Sequence, residues 1–187
     1  PPVAGDETYV EQVLRNLRTA LVAWLFARST GRRFLVRIED LDDRTHPEVA
    51  HRQLDDLAAI GITWDGDPQW QSAHPQRYDA VVDDLAGRGL VYECYCSRKE
   101  ILNAPRAPHA PEGAYPGTCR DLSDAQRATR RAAGRPPALR LRTERTEFTV
   151  TDLLHGRYTG VVDDCVLRRG DGGPAYNLAV AVDDAAS

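Results

Sequence analysis

Three of the four cysteines in this 187-residue chain stand close together: Cys94 and Cys96 are one residue apart, and Cys119 follows across a loop rich in proline and glycine. Thiolates at such a spacing suit a borderline-soft cation, and three of them with one further donor complete the tetrahedral shell that zinc takes. Tyr115 and His109 both lie in the loop and compete for the fourth place, tyrosine being the rarer ligand. The plainer alternative is that the three thiols pack as small hydrophobes. Cys165 falls in a strand-like pattern and reads as core.

A second chemistry-bearing feature is the acidic run Glu39-Asp40-Leu41-Asp42-Asp43. It follows a short apolar stretch, at the end of a strand where open parallel sheets present ligand-binding groups. The same carboxylates also suit a solvated cluster at a helix start. Arg140 and Arg142 alternate with apolar residues; they could reach RNA phosphates, and an exposed strand face explains them equally well.

These residues need elements to hold them. Apolar residues at three- and four-residue steps (Leu17, Ala20, Leu21, Trp24, Leu25) predict a helix over 16–29, ended at Thr30-Gly31. A strand over 34–38 follows, and helix, tight turn and strand together suggest an α/β sheet. Helices are predicted over 47–60, with proline in the first turn, over 76–88, and over 121–133. Strands are predicted over 138–142, 148–154 and 161–167. A last element over 175–182, with Tyr176 in an apolar strand pattern, follows the turn Asp171-Gly172-Gly173. Residues 92–120 break the alternation and read as an insertion.

The bulk properties set limits. With 42% hydrophobic residues the chain can bury a core, and a net charge of −4 excludes a wholly basic, DNA-coating surface. No apolar run reaches the ~18 residues a membrane helix needs, and a signal-peptide pattern is not found at the N-terminus. The chain is read as cytoplasmic, where cysteines stay reduced and bind metal more readily than they form disulfides. It contains no methionine and stops at Asp183-Asp184-Ala185-Ala186-Ser187 without a helix stop signal, so it is expected to be incomplete at both ends.

Several motifs in order then resemble one family. Asn16-Leu17-Arg18-Thr19-Ala20-Leu21 with Ala23-Trp24-Leu25, followed by Val36-Arg37-Ile38-Glu39-Asp40-Leu41-Asp42, is similar to the opening of class I glutamyl-specific synthetases. Gly113-Ala114-Tyr115-Pro116-Gly117-Thr118-Cys119-Arg120 resembles the zinc loop of their short relatives, the glutamyl-queuosine tRNA(Asp) synthetases. Asp152-Leu153-Leu154-His155-Gly156, Val161-Val162-Asp163-Asp164 and Pro174-Ala175-Tyr176-Asn177-Leu178-Ala179 continue the match.

The resemblance implies an α/β fold: a Rossmann-like class I aminoacyl-tRNA synthetase catalytic core with a zinc-binding insertion. It divides the chain into 1–90 as the first part of the core, 91–135 as the insertion and 136–187 as the continuing core. It implies Cys94, Cys96, Tyr115 and Cys119 as zinc ligands. It also implies Glu39 against the α-amino group of glutamate and Tyr176 in the same pocket, where Tyr176 could otherwise be core. The implied partners are glutamate, ATP with magnesium, and tRNA(Asp) bearing queuosine, with no membrane and no DNA. The implied reaction is activation of glutamate by ATP, then transfer to queuosine.

Two departures temper that expectation. Val13-Leu14-Arg15 stands where the family has a histidine and a glycine that serve ATP, and the second ATP-binding signature falls beyond residue 187. Poor adenylation by this chain is therefore expected, and no catalytic residue is assigned. Two other readings remain: a degenerate, non-catalytic zinc module that binds tRNA or protein, and a piece of an ordinary glutamyl-tRNA synthetase.

Overall fold

The computed structural model describes residues 7–42, 46–104 and 114–186, with side-chain surroundings defined for Leu14 and from Asn16 on. Two compact units divide the chain, Pro1–His74 and Pro75–Ser187. No helix of the described residues is long and apolar enough to cross a membrane.

In the first unit, helix α1 (Glu7–Ser29) begins nine residues before the predicted start, so Val13-Leu14-Arg15 lies within continuous helix. Its last two turns are tied by polar groups. The Trp24 indole donates to the Thr63 carbonyl at 2.9 Å, and Arg28 reaches the Asp65 carboxylate at 2.7 Å. Asp65 also accepts from the Phe34 amide, and these two bonds hold its carboxyl below the usual range, the backbone bond contributing most. Strand β1 (Arg37–Ile38) pairs in parallel with β2 (Gln69–Trp70), a partner with no strong sequence signal. Helix α2 (Pro47–Ala59) connects them and carries its proline at the start as predicted.

The second unit is built on a three-stranded antiparallel sheet of order β3 (Val91–Cys94), β4 (Ala138–Leu141) and β7 (Val166–Arg168). Helices α3 (Pro75–Gly87) and α6 (Tyr176–Ala185) bury Tyr78, Val82, Leu178 and Ala179. The Tyr78 hydroxyl donates to the Asp183 carboxylate at 3.0 Å, so the two helices share a buried polar tie. Residues 175–182, which read as a strand, are helical; alanines at 175, 179, 181 and 185 favour helix, and valine there is tolerated.

Between β3 and β4 stand two short helices, α4 (Arg98–Asn103) and α5 (Asp124–Ala132), each opened by a complete capping box, Ser97 with Glu100 and Ser123 with Gln126. Between β4 and β7 a hairpin projects: β5 (Glu147–Asp152) and β6 (Gly156–Val161) pair antiparallel. The predicted strand over 148–154 is borne out as far as Asp152, whereas that over 161–167 is broken at 162–165, its ends falling on β6 and β7. Asp152 accepts from the amides of Leu154 and His155 at 2.8 Å each, and Gly156 has φ +75°, so the chain turns where two leucines suggest continuation. Phe148, Val150 and Tyr158 remain exposed on the hairpin.

Candidate functional site

The strand β3 ends in Cys94, and Tyr95 and Cys96 lead directly into the Ser97 cap of α4. The loop of residues 114–120 returns Tyr115 and Cys119 against them. Gly117 at φ +78° and the Arg120 amide bonded to the Gly117 carbonyl at 2.9 Å make the turn that brings Cys119 back. The result is a small buried cluster of Tyr92, Cys94, Tyr95, Tyr115 and Cys119, with Cys96, Ile101 and Leu122 packed on it.

All four cysteines of the chain are free thiols, and three of them meet in this cluster. The sulfur atoms of Cys94, Cys96 and Cys119 lie within 4.8 Å of one another. Cys96 Sγ is 3.6 Å from Cys119 Sγ, and the Tyr115 oxygen is 3.4 Å from Cys94 Sγ. Tetrahedral zinc with sulfur at about 2.3 Å and oxygen at about 2.0–2.2 Å has ligand edges of about 3.8 Å and about 3.5 Å. The donor set thus fits a zinc ion in type, and the Cys96–Cys119 and Cys94–Tyr115 separations match those two edges. His109 lies outside the described residues.

Burial is the first influence on these groups. It pushes the Cys96 thiol up to about 12, with the neighbouring Cys119 and Cys94 sulfurs adding to it, and raises the Tyr115 phenol too. Burial also opposes the Cys119 thiolate, but bonds from the Tyr95 amide, Tyr115 and the other two cysteines outweigh it and bring that thiol below its ordinary value.

A polar network roots the cluster in the sheet. Asp164, buried, accepts from the Tyr92 hydroxyl at 2.7 Å, from Arg120 at 2.5 and 2.6 Å, and from the Thr143 amide and hydroxyl at 2.9 and 2.7 Å. Burial alone would raise its carboxyl, yet these donors bring it down to about 2. Asp163 accepts from the Tyr115 amide at 2.8 Å. Glu93 takes a two-pronged contact from Arg131 of α5, at 2.8 Å, and the Tyr95 hydroxyl at 2.6 Å.

Arg140 and Arg142 are not the exposed pair their alternation suggests. In the β3–β4 register Tyr92 faces Arg140 and Cys94 faces Ala138, and directly opposed residues share one face of the sheet. That face lies under the cysteine cluster, so Arg140 is buried with its guanidinium 3.8 Å from the centroid of the Tyr115 ring. Arg142 stacks 5.2 Å from the Tyr92 ring and pairs with Asp121 at 2.9 Å. Asp163, Asp164 and Arg120 carry this network without a role that the sequence assigns them; the adjacent aspartates after Val161-Val162 are the one available signal. Cys165 is half-buried beside them, at the entrance to β7.

The residues assigned to substrate lie elsewhere. Glu39 follows β1 in the first unit, exposed, with its carboxylate 3.4 Å from Arg37. Asp40 beside it accepts from the Ser72 amide at 2.8 Å and the Ser72 hydroxyl at 2.5 Å, which pins the strand end. Tyr176 opens α6 in the second unit with 66% of its surface exposed. It is neither a core residue nor a strand residue, because its neighbours Leu178 and Ala179 supply the buried face of the helix.

The comparisons with known proteins agree with this architecture. Residues 15–187 match the family model of the class I tRNA synthetases (E and Q), catalytic domain. The glutamyl-Q tRNA(Asp) synthetase of Nocardia farcinica is 67% identical over 173 residues, covering 92% of this chain and 55% of that protein. That of Cutibacterium acnes is 51% identical over 175 residues, covering 91% of this chain and 49% of that protein. A crystal structure of a glutamate tRNA ligase from Elizabethkingia meningosepticum in complex with its amino acid superposes with a TM-score of 0.70 at 24% identity, over 90% of this chain and 38% of that one. The chain spans about half the length of these curated relatives. With a family match running from residue 15 to residue 187, the chain belongs to the class I glutamyl- and glutaminyl-tRNA synthetase family, within its catalytic domain.

Proposed function

We propose that the chain is the glutamate-activating part of a glutamyl-queuosine tRNA(Asp) synthetase working in the cytoplasm. The observation that carries this reading is the 67% identity, over 92% of the chain, to a protein of that name. The glutamate α-carboxylate attacks the α-phosphorus of ATP, with magnesium on the phosphates, to give glutamyl-adenylate and pyrophosphate. The glutamyl group then passes to queuosine in tRNA(Asp), the acyl–phosphate bond breaking with release of AMP. Glu39 receives the substrate ammonium, a charge-assisted contact that replaces its bond to Arg37. The Tyr176 hydroxyl offers a hydrogen bond to the same substrate.

In this reading residues 91–135 form a zinc-binding insertion between core segments 1–90 and 136–187. Cys94, Cys96, Cys119 and Tyr115 hold the ion, supported by the edge lengths among their donor atoms. The zinc is structural: it would fix the loop, with every ligand position taken by the protein.

A second reading, a non-catalytic relative that keeps the fold, is favoured by one observation. Helix α1 runs unbroken through Val13-Leu14-Arg15, where a glycine would let a nucleotide approach the backbone. Titration of a non-hydrolysable glutamyl-adenylate analogue into the zinc-loaded chain separates the two. Binding that Glu39→Ala weakens about ten- to a hundredfold, with labelled glutamate passing to queuosine-containing but not unmodified tRNA(Asp), supports the first. A folded, zinc-loaded chain that binds no analogue supports the second. Glutamate-dependent exchange between ATP and pyrophosphate is expected to be weak, and brisk exchange overturns the role given to the missing histidine and glycine.

A further inference from the structure

Arg140 is a buried cation with 7% of its surface exposed, and among the described residues it forms no ion pair with a carboxylate. Its Nη1 donates to the Asp164 carbonyl at 2.5 Å, and its buried Nε has no hydrogen-bond partner. The guanidinium carbon sits 3.8 Å from the centroid of the Tyr115 ring, well inside the distance at which a cation and an aromatic face attract. Such a group is costly to bury unless a negative charge balances it. Asp164 is occupied by Arg120, Tyr92 and Thr143.

The balancing charge is close by, at the cysteines whose Cys94 Sγ lies 3.4 Å from the Tyr115 oxygen. Three thiolates around a divalent ion carry a net charge of −1 before any contribution from the phenol. We infer that Arg140 is a positioning residue of the zinc site. It holds the Tyr115 ring by stacking, so that the phenol oxygen stays at the fourth ligand position, and it supplies the countercharge of the thiolate cluster. This rests on the ligand set proposed above.

The inference makes a prediction of opposite signs that a simple packing role does not. Replacing Arg140 by methionine removes a charge that is unbalanced without metal, so the zinc-free chain keeps or gains thermal stability. The same replacement weakens zinc binding about ten- to a hundredfold, the range usual for residues that orient metal ligands. Zinc affinity is read by competition with a chromophoric chelator, and ligand geometry by the visible bands of the cobalt(II)-substituted chain. Arg140→Lys keeps the charge but loses the planar stack, so it retains more affinity than Arg140→Met and still shifts the cobalt bands. Because Arg140 acts through Tyr115, the double variant with Tyr115→Phe loses less affinity than the two single losses combined.

Wild-type zinc affinity in Arg140→Met, or losses that combine in full with Tyr115→Phe, overturns the inference and leaves the ligand set standing. A wild-type chain that takes up no zinc overturns the ligand set, and this inference with it. If Arg140→Met fails to fold even with zinc, Arg140→Lys decides: a cobalt spectrum and affinity equal to wild type overturn the positioning role.

Discussion

The cysteine cluster and the residues assigned to glutamate are held in contrasting ways. Each donor of the cluster is buried or half-buried and tied to a second group: Tyr115 to Asp163 and Arg140, Cys119 to Tyr115, and the strand before Cys94 to Arg131 through Glu93. Glu39 and Tyr176 are exposed, and among the described residues Glu39 has one ion pair, at 3.4 Å. A metal site must be assembled by the chain itself, because the ion tolerates little error in ligand distance. A substrate site can leave its polar groups in water, ready to exchange solvent for substrate. The contrast predicts large effects on the stability of the metal-loaded chain and small effects on substrate affinity at residues around the cluster, and the reverse at Glu39 and Tyr176.

The largest expected effect is removal of the metal. Zinc present at about a thousand times its dissociation constant adds about 4 kcal/mol to the folded state. At roughly 2–4 °C per kcal/mol for a chain of this size, chelation lowers Tm by about 10 °C, measured by calorimetry with and without chelator. Cys119→Ser is expected to reproduce the loss with zinc present. A Tm indifferent to chelator would break the comparison, since the cluster would then be a packed set of thiols.

Next comes Asp164→Asn. The variant leaves Arg120 without its carboxylate in a half-buried place and weakens the tie from Tyr92, at a cost of about 3 kcal/mol. The pH dependence sharpens this. The Asp164 carboxyl is held at about 2, below its ordinary value of 3.8, so the folded state favours the ionised form. Its stabilisation is present in full above the unfolded value and is lost as pH falls from about 4 to about 2. Denaturant titrations across that window should show a steeper loss in the wild type than in Asp164→Asn.

The two regions are unequally legible in the amino-acid sequence. Cysteine type and spacing suggest a metal site, since thiols so close along the chain suit a soft cation, and the fold brings their sulfurs within 4.8 Å of one another. Spacing alone leaves Tyr115 and His109 as rivals, since distance along a loop does not say which side chain turns inward; only the family resemblance favours Tyr115. Arg140 looks exposed because alternation tells which residues share a face and not which face is covered; the cover is Tyr115, 25 positions earlier in the sequence. Pro47 marks its helix start correctly, whereas the Ser97-x-x-Glu100 cap of α4 is masked by the prolines and cysteines around it, which make the segment look irregular. The β5–β6 turn is hidden because Leu153 and Leu154 carry the apolar signal of a strand while standing almost fully exposed at its tip.

Glu39→Ala tests the substrate side of the contrast. Loss of a charge-assisted contact of about 1.5–3 kcal/mol weakens binding of the glutamyl-adenylate analogue about ten- to a hundredfold. Tm should move by no more than about 4 °C, because an exposed pair such as Arg37 and Glu39 contributes at most about 1 kcal/mol. A fall in stability equal to that of Asp164→Asn would place Glu39 with the structural network instead.

Tyr176→Phe has the smallest expected effect. Its hydroxyl makes at most one neutral hydrogen bond to substrate, about 0.5–1.5 kcal/mol, so analogue affinity falls about two- to tenfold by isothermal titration. Stability is unchanged, since the ring is two-thirds exposed and the buried face of α6 is made by Leu178 and Ala179. Combining it with Glu39→Ala asks whether both side chains meet one ligand. Losses larger or smaller than the product of the single effects mean that the two share the bound glutamyl group, whereas independent losses confine recognition of its ammonium to Glu39.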